Sequence, residues 1–145
     1  MRIALDTNVL AYAEGVGSRT KRDRTLRLLE EVDAASLVIP AQTLGELYRV
    51  LTGKAGRTAS AARAAVLTWA DGYAVAESTW SAFQAAFDLS VDHGVSIWDA
   101  LILSVAAEQH CRLLLSEDLQ HGSIVHGVTV VNPYAASPHP LLTGA

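Results

Sequence analysis

The apolar positions of the chain fall into two kinds of run. Short runs, closed by turn residues, stand apart from one another: Ile3-Ala4-Leu5 ending at Asp6, Leu37-Val38-Ile39 stopped by Pro40, Tyr73-Ala74-Val75-Ala76, Leu113-Leu114-Leu115 closed by Ser116-Glu117-Asp118, and Val128-Thr129-Val130-Val131 closed by Asn132-Pro133. They are too short for helices and suit strands buried on both faces. Between them, apolar residues recur at helical spacing. Residues 19–34 carry Leu26, Leu29 and Val32, and residues 42–53 carry Leu44, Leu47, Val50 and Leu51. The Ala-rich stretch 58–71 has high helix propensity, and 79–92 and 97–109 complete the set. Gly94 suits the end of the fourth helix. Strands alternating with helices predict an α/β/α sandwich with a central parallel sheet of about five strands. One domain over residues 1–136 is expected, with 137–145 as a loosely held tail.

Composition sharpens this picture. The 145 residues are 50% hydrophobic and 18% charged, enough apolar surface for a core and too much for a disordered chain. No apolar run approaches the ~20 residues of a membrane span, and the acid at Asp6 comes too early for a secretion signal. The single cysteine, Cys111, has no partner for an internal disulfide. That suits a reducing cytoplasm and a role as a small core residue. The net charge of −4 argues against nucleic acid until its distribution is considered. Ten of the eleven Lys and Arg lie in residues 1–63, against seven acids, while residues 64–145 hold Arg112 against eight acids. Such asymmetry gives a phosphate-attracting face and an acidic pole, or simply solvated helix faces.

The acids carry the candidate chemistry. In an open parallel sheet, ligands bind beyond the carboxyl ends of the strands. Asp6 and Asp118 follow the first and fourth apolar runs. Asp99 shares a helical face with Ile102, Leu103 and Ala106, and Glu46 sits at the edge of the face of Leu47, Val50 and Leu51. Two carboxylates 4 Å apart repel by about 4 kcal/mol at an effective dielectric near 20, and the second half offers only Arg112 as a basic partner. Mg²⁺ or Mn²⁺ would relieve converging acids, and could activate water for phosphodiester cleavage. Each acid also has an ordinary structural role available. Thr43-Leu44-Gly45-Glu46 and Ser96-Ile97-Trp98-Asp99 fit capping boxes, and Asp6 and Asp118 fit turns. Taken singly, that role is preferred for Glu46, Asp118 and Asp6, but not for Asp99. Convergence of all four is what it does not explain.

The segments around these acids form a pattern. Ile3-Ala4-Leu5-Asp6-Thr7-Asn8-Val9-Leu10, Gln42-Thr43-Leu44-Gly45-Glu46-Leu47, Trp98-Asp99-Ala100-Leu101-Ile102 and Leu114-Leu115-Ser116-Glu117-Asp118-Leu119-Gln120-His121-Gly122 resemble, in order, the four motifs of the PIN domain family. Within that family the chain is most similar to toxin ribonucleases of VapC type, from type II toxin–antitoxin systems. The resemblance implies an α/β/α domain and Mg²⁺- or Mn²⁺-dependent RNA cleavage by an activated water. It also implies a homodimer held inactive by a co-encoded antitoxin. By that analogy Asp6, Glu46 and Asp99 bind metal and Asp118 completes the acidic cluster. The hydroxyls of Thr7 and Ser116 would orient ligands or water. Relatives often carry a further acid where this chain has His121.

Arg49, Lys54, Arg57 and Arg22 are candidates for RNA phosphate contact, the last within the basic run Arg19, Lys21, Arg22, Arg24 and Arg27, which also suits a solvated helix face. Trp98 could stack on a ligand, but a core position ranks first; Trp69 and Trp80 look structural. His93 and His110 lack metal-ligand spacing. Two other functions stay open: an inactive PIN fold that only binds, and an aspartyl-phosphate or Mg²⁺-dependent phosphotransfer domain. Against the second, neither Lys21 nor Lys54 lies near a later strand end, and Asn8 stands where phosphatases have a second Asp.

Overall fold

The computed structural model describes residues 1–143. Its elements are β1 (Arg2–Leu5), α1 (Thr7–Ala13), α2 (Arg19–Glu31), a 3₁₀ turn (Ala34–Ser36), β2 (Leu37–Pro40), α3 (Ala41–Thr52), α4 (Ala59–Gly72), β3 (Ala74–Ala76), α5 (Trp80–His93), α6 (Ile97–Glu108), β4 (Cys111–Leu115), β5 (Ile124–Val125), β6 (Val128–Val131) and α7 (Pro140–Thr143). The five apolar runs are strands and the five periodic stretches are helices. The sheet has six strands rather than five, because Ile124-Val125 folds back antiparallel on β6, with Ile124 beside Thr129 and Val125 beside Val128. A two-residue strand carries too few residues to display a period of two. Helix α1 lies where the sequence suggests a turn and N-cap after the first strand; Asp6 is that N-cap, its side chain accepting from Thr7 N–H at 2.7 Å.

The strand order is β3-β2-β1-β4-β6-β5, and every pairing except β5–β6 is parallel. The order reverses beside β1. From β1 the chain winds outward through β2 and β3, and then returns to the other side of β1 for β4 and β6. A crevice opens at such a reversal, above the carboxyl ends of the two strands that flank it. Asp6 leaves β1 there, and Ser116, Glu117 and Asp118 leave β4. The backbone fixes the two exits against each other: Asp6 N–H donates to Leu115 O and Ser116 N–H to Val131 O, each at 3.0 Å.

Alternation along the strands builds two cores. Ala4, Val38, Leu114 and Val130 face α5 and α6, meeting Ala86, Leu101 and Val105. Ile3, Leu5, Ile39, Leu113 and Leu115 face the other side, meeting Leu10, Leu28, Leu47 and Ala62 from α1 to α4. This is the expected three-layer α/β/α sandwich. Burying a Leu or Ile side chain stabilises by about 1.5–3 kcal/mol, so the central strands are the firmest part of the molecule and a rigid base for what projects from their ends. Cys111 is buried, as expected. Gly94 ends α5 in the left-handed conformation (φ 68°), which glycine adopts without steric cost. In the C-terminal segment, Leu141 and Leu142 are partly buried against the second core; residues 144–145 of the expected tail lie outside the described residues. Among the described residues no helix is long and apolar enough to cross a membrane.

Candidate functional site

Four chain segments deliver the predicted acids to one end of the sheet. Asp6 extends from β1 and is only 5% exposed. Glu46 lies one turn into α3, which starts directly at the end of β2. Asp99 occupies the first turn of α6, and Asp118 follows β4. Glu46 and Asp99 are half-buried and Asp118 is exposed.

Neutral donors hold these carboxylates. Ser116 Oγ donates to Asp6 Oδ2 at 2.7 Å. Thr7 Oγ1 donates to Glu46 Oε2 at 2.6 Å, and Gln42 Nε2 donates to Glu46 Oε1 at 3.0 Å. Asn8 Nδ2 donates to Asp118 Oδ2 at 3.1 Å, while its Oδ1 accepts from Glu117 N–H at 3.1 Å. Asp118 N–H in turn donates to Ser116 Oγ at 3.2 Å. Among the described residues no Lys or Arg pairs with any of the four; the side-chain ion pairs are Lys21–Glu117 and Arg57–Glu14.

The charges of Glu46 and Asp118 act on both Asp6 and Asp99. Burial pushes the Asp6 carboxyl up to about 6, against the hydrogen bonds from Ser116 and Thr7, and the charges of Glu46 and Asp118 add to the rise. Burial also raises Asp99, against Ser96, and again Glu46 and Asp118 contribute. The ligand chemistry suits a hard divalent cation: carboxylate oxygens, hydroxyls and amide oxygens, with Gln42 Oε1 buried and without a hydrogen-bond partner. As placed, the acids share a field rather than a ligand shell, since among the described residues no group of three or more His, Cys, Asp or Glu stands ready to hold an ion.

The capping-box reading fails for Glu46. Pro40, with its φ of −58°, is the residue before the helix, and α3 begins at Ala41 without a side-chain cap. Thr43 is thus inside the helix and fully buried, donating its hydroxyl to Leu5 O at 3.1 Å. Ser96 does cap α6, accepting from Asp99 N–H at 3.3 Å. Trp98 is not a core residue: it lies in the first turn of α6 and is 57% exposed. Trp80 is exposed too, set edge-on to Phe87 at 6.2 Å. Trp69 is structural, stacked on Tyr73 at 5.7 Å.

A groove of about 800 Å³ runs along the acids, lined by Thr7, Asn8, Glu46 and Asp118, and by Arg49 and Lys54. Arg57 faces elsewhere, donating to Glu14 Oε1 at 2.7 Å and to Glu14 O at 2.6 Å. Arg22 is exposed on α2 and does not line the groove. His121 is exposed, its Nδ1 accepting from Asn132 N–H at 2.9 Å. A smaller hollow of about 350 Å³ between α2 and the C-terminal segment holds none of the four acids.

Three contributors escaped the sequence reading. Gln42 stands four residues before Glu46 on one helix, a spacing that places side chains together and could have flagged it. Asn8, which in the sequence belongs to a motif and stands where phosphatases have a second Asp, positions Asp118 here. The third is a clamp in which Lys21 and Tyr12 both engage Glu117, and Lys21 Nζ lies 5.2 Å from the Tyr12 ring centre. It ties α1 and α2 to the loop that carries Asp118, and only the fold reveals it.

The geometry agrees with known folds. The PIN domain model matches residues 3–124. Among solved structures, the chain is similar to the Mycobacterium tuberculosis VapC20 toxin, described as cleaving the sarcin-ricin loop, with TM-score 0.68, 21% identity, and coverage of 80% of this chain and 91% of that one. It is also similar to a chain of a Klebsiella pneumoniae toxin–antitoxin complex, with TM-score 0.68, 20% identity, and coverage of 91% and 98%. A third is VapBC2 of Rickettsia felis bound to a promoter DNA fragment, with TM-score 0.65, 15% identity, and coverage of 90% and 97%. Among curated proteins none gives a match. With four acid-bearing segments in the family's order meeting at the carboxyl end of a mostly parallel sheet, and a family model spanning most of its length, the chain belongs to the PIN domain family.

Proposed function

We propose that the protein is a metal-dependent endoribonuclease, the toxin of a toxin–antitoxin pair. The observation that carries this reading is the buried Asp6, its carboxyl pushed up to about 6, with Glu46 and Asp118 contributing to that rise and, among the described residues, no basic side chain paired with any of the three. Acids held close together without a paired Lys or Arg suit a cation better than they suit a stable apo protein.

In this reading Asp6, Glu46, Asp99 and Asp118 hold Mg²⁺ or Mn²⁺. When bound, the ion supplies Lewis acidity and a water made nucleophilic near neutral pH. The chain's own side chains do the rest. Ser116 fixes the Asp6 carboxylate, and Thr7 and Gln42 fix the two oxygens of Glu46, so that ligand oxygens are oriented beforehand. Asn8 positions Asp118. Arg49 and Lys54, in the same groove, take RNA phosphates and set the scissile bond over the acids. A homodimer and a co-encoded antitoxin complete the proposal; the Klebsiella and Rickettsia chains of the same fold come from toxin–antitoxin assemblies.

A second reading has one observation in its favour: among the described residues no three acids are placed to grip an ion together. In that case the fold binds a partner without cutting RNA. The phosphotransfer reading has less, since Asn8 is engaged with Glu117 and Asp118, and Lys21 with Glu117.

The test is cleavage of bulk RNA by the purified protein in Mg²⁺ or Mn²⁺. EDTA-sensitive cuts that disappear in Asp6→Asn and in Asp99→Asn, with both variants folded, are expected. RNA left intact across metals and pH favours the binding-only reading, and cutting by both variants removes the assigned site.

A further inference from the structure

We infer that Tyr12 and Glu117 are positioning residues for Asp118: Tyr12 grips the side chain of Glu117, and so holds the neighbouring acid where it can share a divalent cation with Asp6 and Asp99. The use of that cation rests on the nuclease reading above.

Asp118 needs such support. It follows β4 on an irregular segment and is the exposed one of the four acids. Its Oδ2 accepts from Asn8 Nδ2 at 3.1 Å, and its N–H donates to Ser116 Oγ at 3.2 Å. An exposed side chain on a loop keeps much of its conformational freedom, and ordering it when an ion binds weakens that binding.

The support comes from one face of α1. Asn8 and Tyr12 stand four residues apart, so their side chains project on the same side. Asn8 Oδ1 accepts from Glu117 N–H at 3.1 Å, and the Tyr12 hydroxyl donates to Glu117 Oε1 at 2.5 Å. Residue 117 is thus held by its backbone at one turn of the helix and by its side chain at the next. The peptide that leads into Asp118 is left little freedom to rotate. Thr7, beside Asn8, holds Glu46 in the same way. Helix α1 therefore sets the acid from α3 and the acid after β4 against each other.

Tyr12 is itself braced. Its ring meets Tyr134 edge-on at 5.0 Å, and the Tyr134 hydroxyl is 2.7 Å from Oγ1 of the buried Thr25 on α2. Lys21, one turn before Thr25, donates to Glu117 Oε2, and its Nζ lies 5.2 and 5.6 Å from the centres of the two tyrosine rings. The ammonium group pairs with Glu117, so the grip adds no further unpaired acid beside Asp118. Tyr12 and Glu117 line the groove together with Asp118, so the clamp is part of its wall.

Mn²⁺ affinity, measured by calorimetry on the full chain without RNA, tests this, followed by cleavage kinetics at saturating Mn²⁺. In Glu117→Ala the affinity should fall about tenfold. Glu117→Gln keeps an acceptor for the Tyr12 hydroxyl and should recover most of the loss. Tyr12→Phe should lose about threefold, since Lys21 still holds one Glu117 oxygen. Urea melts identify the folded variants; should Glu117→Ala not fold, Tyr12→Phe, which deletes a single hydroxyl, gives the answer. At saturating Mn²⁺ the KM for RNA should equal that of the wild type, which a collapsed groove would not allow. Unchanged Mn²⁺ affinity in folded Glu117→Ala, or in Tyr12→Phe, overturns the assignment. So does a loss that Glu117→Gln fails to recover, which would make the charge of Glu117 the working part instead of its grip. A wild type that binds no Mn²⁺ overturns it too. Affinity that depends on Glu117 and Tyr12 in a protein that never cuts RNA sustains the positioning role and rejects the nuclease. Metal-dependent cutting with the same Mn²⁺ affinity in every variant does the reverse.

Discussion

Ser116 Oγ and Asp6 Oδ2 lie 2.7 Å apart, joining residues from the carboxyl ends of adjacent parallel strands. The hydroxyl donates to a carboxylate that is otherwise almost dry, and the same Oγ accepts from Asp118 N–H at 3.2 Å. One side chain thus stabilises the charged form of Asp6 and places the loop of Asp118. Ser116→Ala removes a bond that holds the Asp6 carboxyl down, so its titration moves to higher pH. A hydrogen bond to a charged group contributes about 1.5–3 kcal/mol, so metal-dependent cleavage at pH 6 should fall at least about tenfold. The loss should shrink as pH rises towards 8. Initial rates across pH 5.5–8.5 for both proteins check this; a loss independent of pH would detach Ser116 from the ionisation of Asp6.

The same carboxyl sets a stability trend in the metal-free protein. Asp6 is raised from an ordinary 3.8 to about 6, chiefly by burial. The folded state therefore binds this proton more tightly than the unfolded state does. The resulting stability is fully present below about pH 4 and is lost as pH rises through 6, a fall on the order of 3 kcal/mol. Asp99, also raised, acts in the same direction. Glu117 and Glu108 are lowered, so their contributions disappear only at more acid pH. In EDTA, urea midpoints should be higher at pH 5 than at pH 7.5. Asp6→Asn should flatten that difference, and Mn²⁺ should stabilise the wild type, but not the variant, at pH 7.5.

Ser104 offers a gain in stability away from the site. It lies within α6, 2% exposed, and its Oγ has no hydrogen-bond partner. An unsatisfied buried hydroxyl costs about 1–3 kcal/mol. Ser104→Ala removes that cost, improves helix propensity and leaves a void of one oxygen. A rise of about 1 kcal/mol in unfolding free energy is expected, with RNA cleavage unchanged. A drop in the urea midpoint would mean that the hydroxyl packs better than its missing partner suggests.

What the sequence made legible follows from which forces act locally. Buried parallel strands leave continuous apolar runs, and helices leave a period, so Leu113-Leu114-Leu115 and the face of Leu44, Leu47 and Leu51 are readable without coordinates. Motif order likewise marks Asp6, Glu46, Asp99 and Asp118 as candidates. The rest depends on non-local placement. Thr43 looks like the opening of a capping box until Pro40 starts α3 earlier and turns its hydroxyl toward Leu5 O. Lys21 belongs to a basic run in sequence, but 96 residues later Glu117 claims its ammonium group. Trp98 looks like core because indoles are usually buried, and nothing local says that the first turn of α6 leaves it exposed.

Arg57 and the pair Arg49 and Lys54 were alike in sequence and differ in the fold, which separates their expected effects. Glu14 holds Arg57 through two bonds, at 2.7 and 2.6 Å, and also accepts from Trp69 Nε1 at 2.9 Å. Glu14 caps the end of α1, so this node ties α1 to α4 and to the segment before it. Arg57→Ala leaves a half-buried carboxylate with one donor fewer, and should cost about 1–2 kcal/mol of stability. It should leave the salt dependence of RNA binding unchanged. Arg49→Ala and Lys54→Ala should do the opposite: little change in stability, but a salt slope on single-stranded RNA reduced by about 0.7 each. Affinities measured from 50 to 300 mM KCl in an Asp99→Asn background, alongside urea melts, decide the matter. A reduced slope in Arg57→Ala with normal stability would place that guanidinium on the RNA instead of on Glu14.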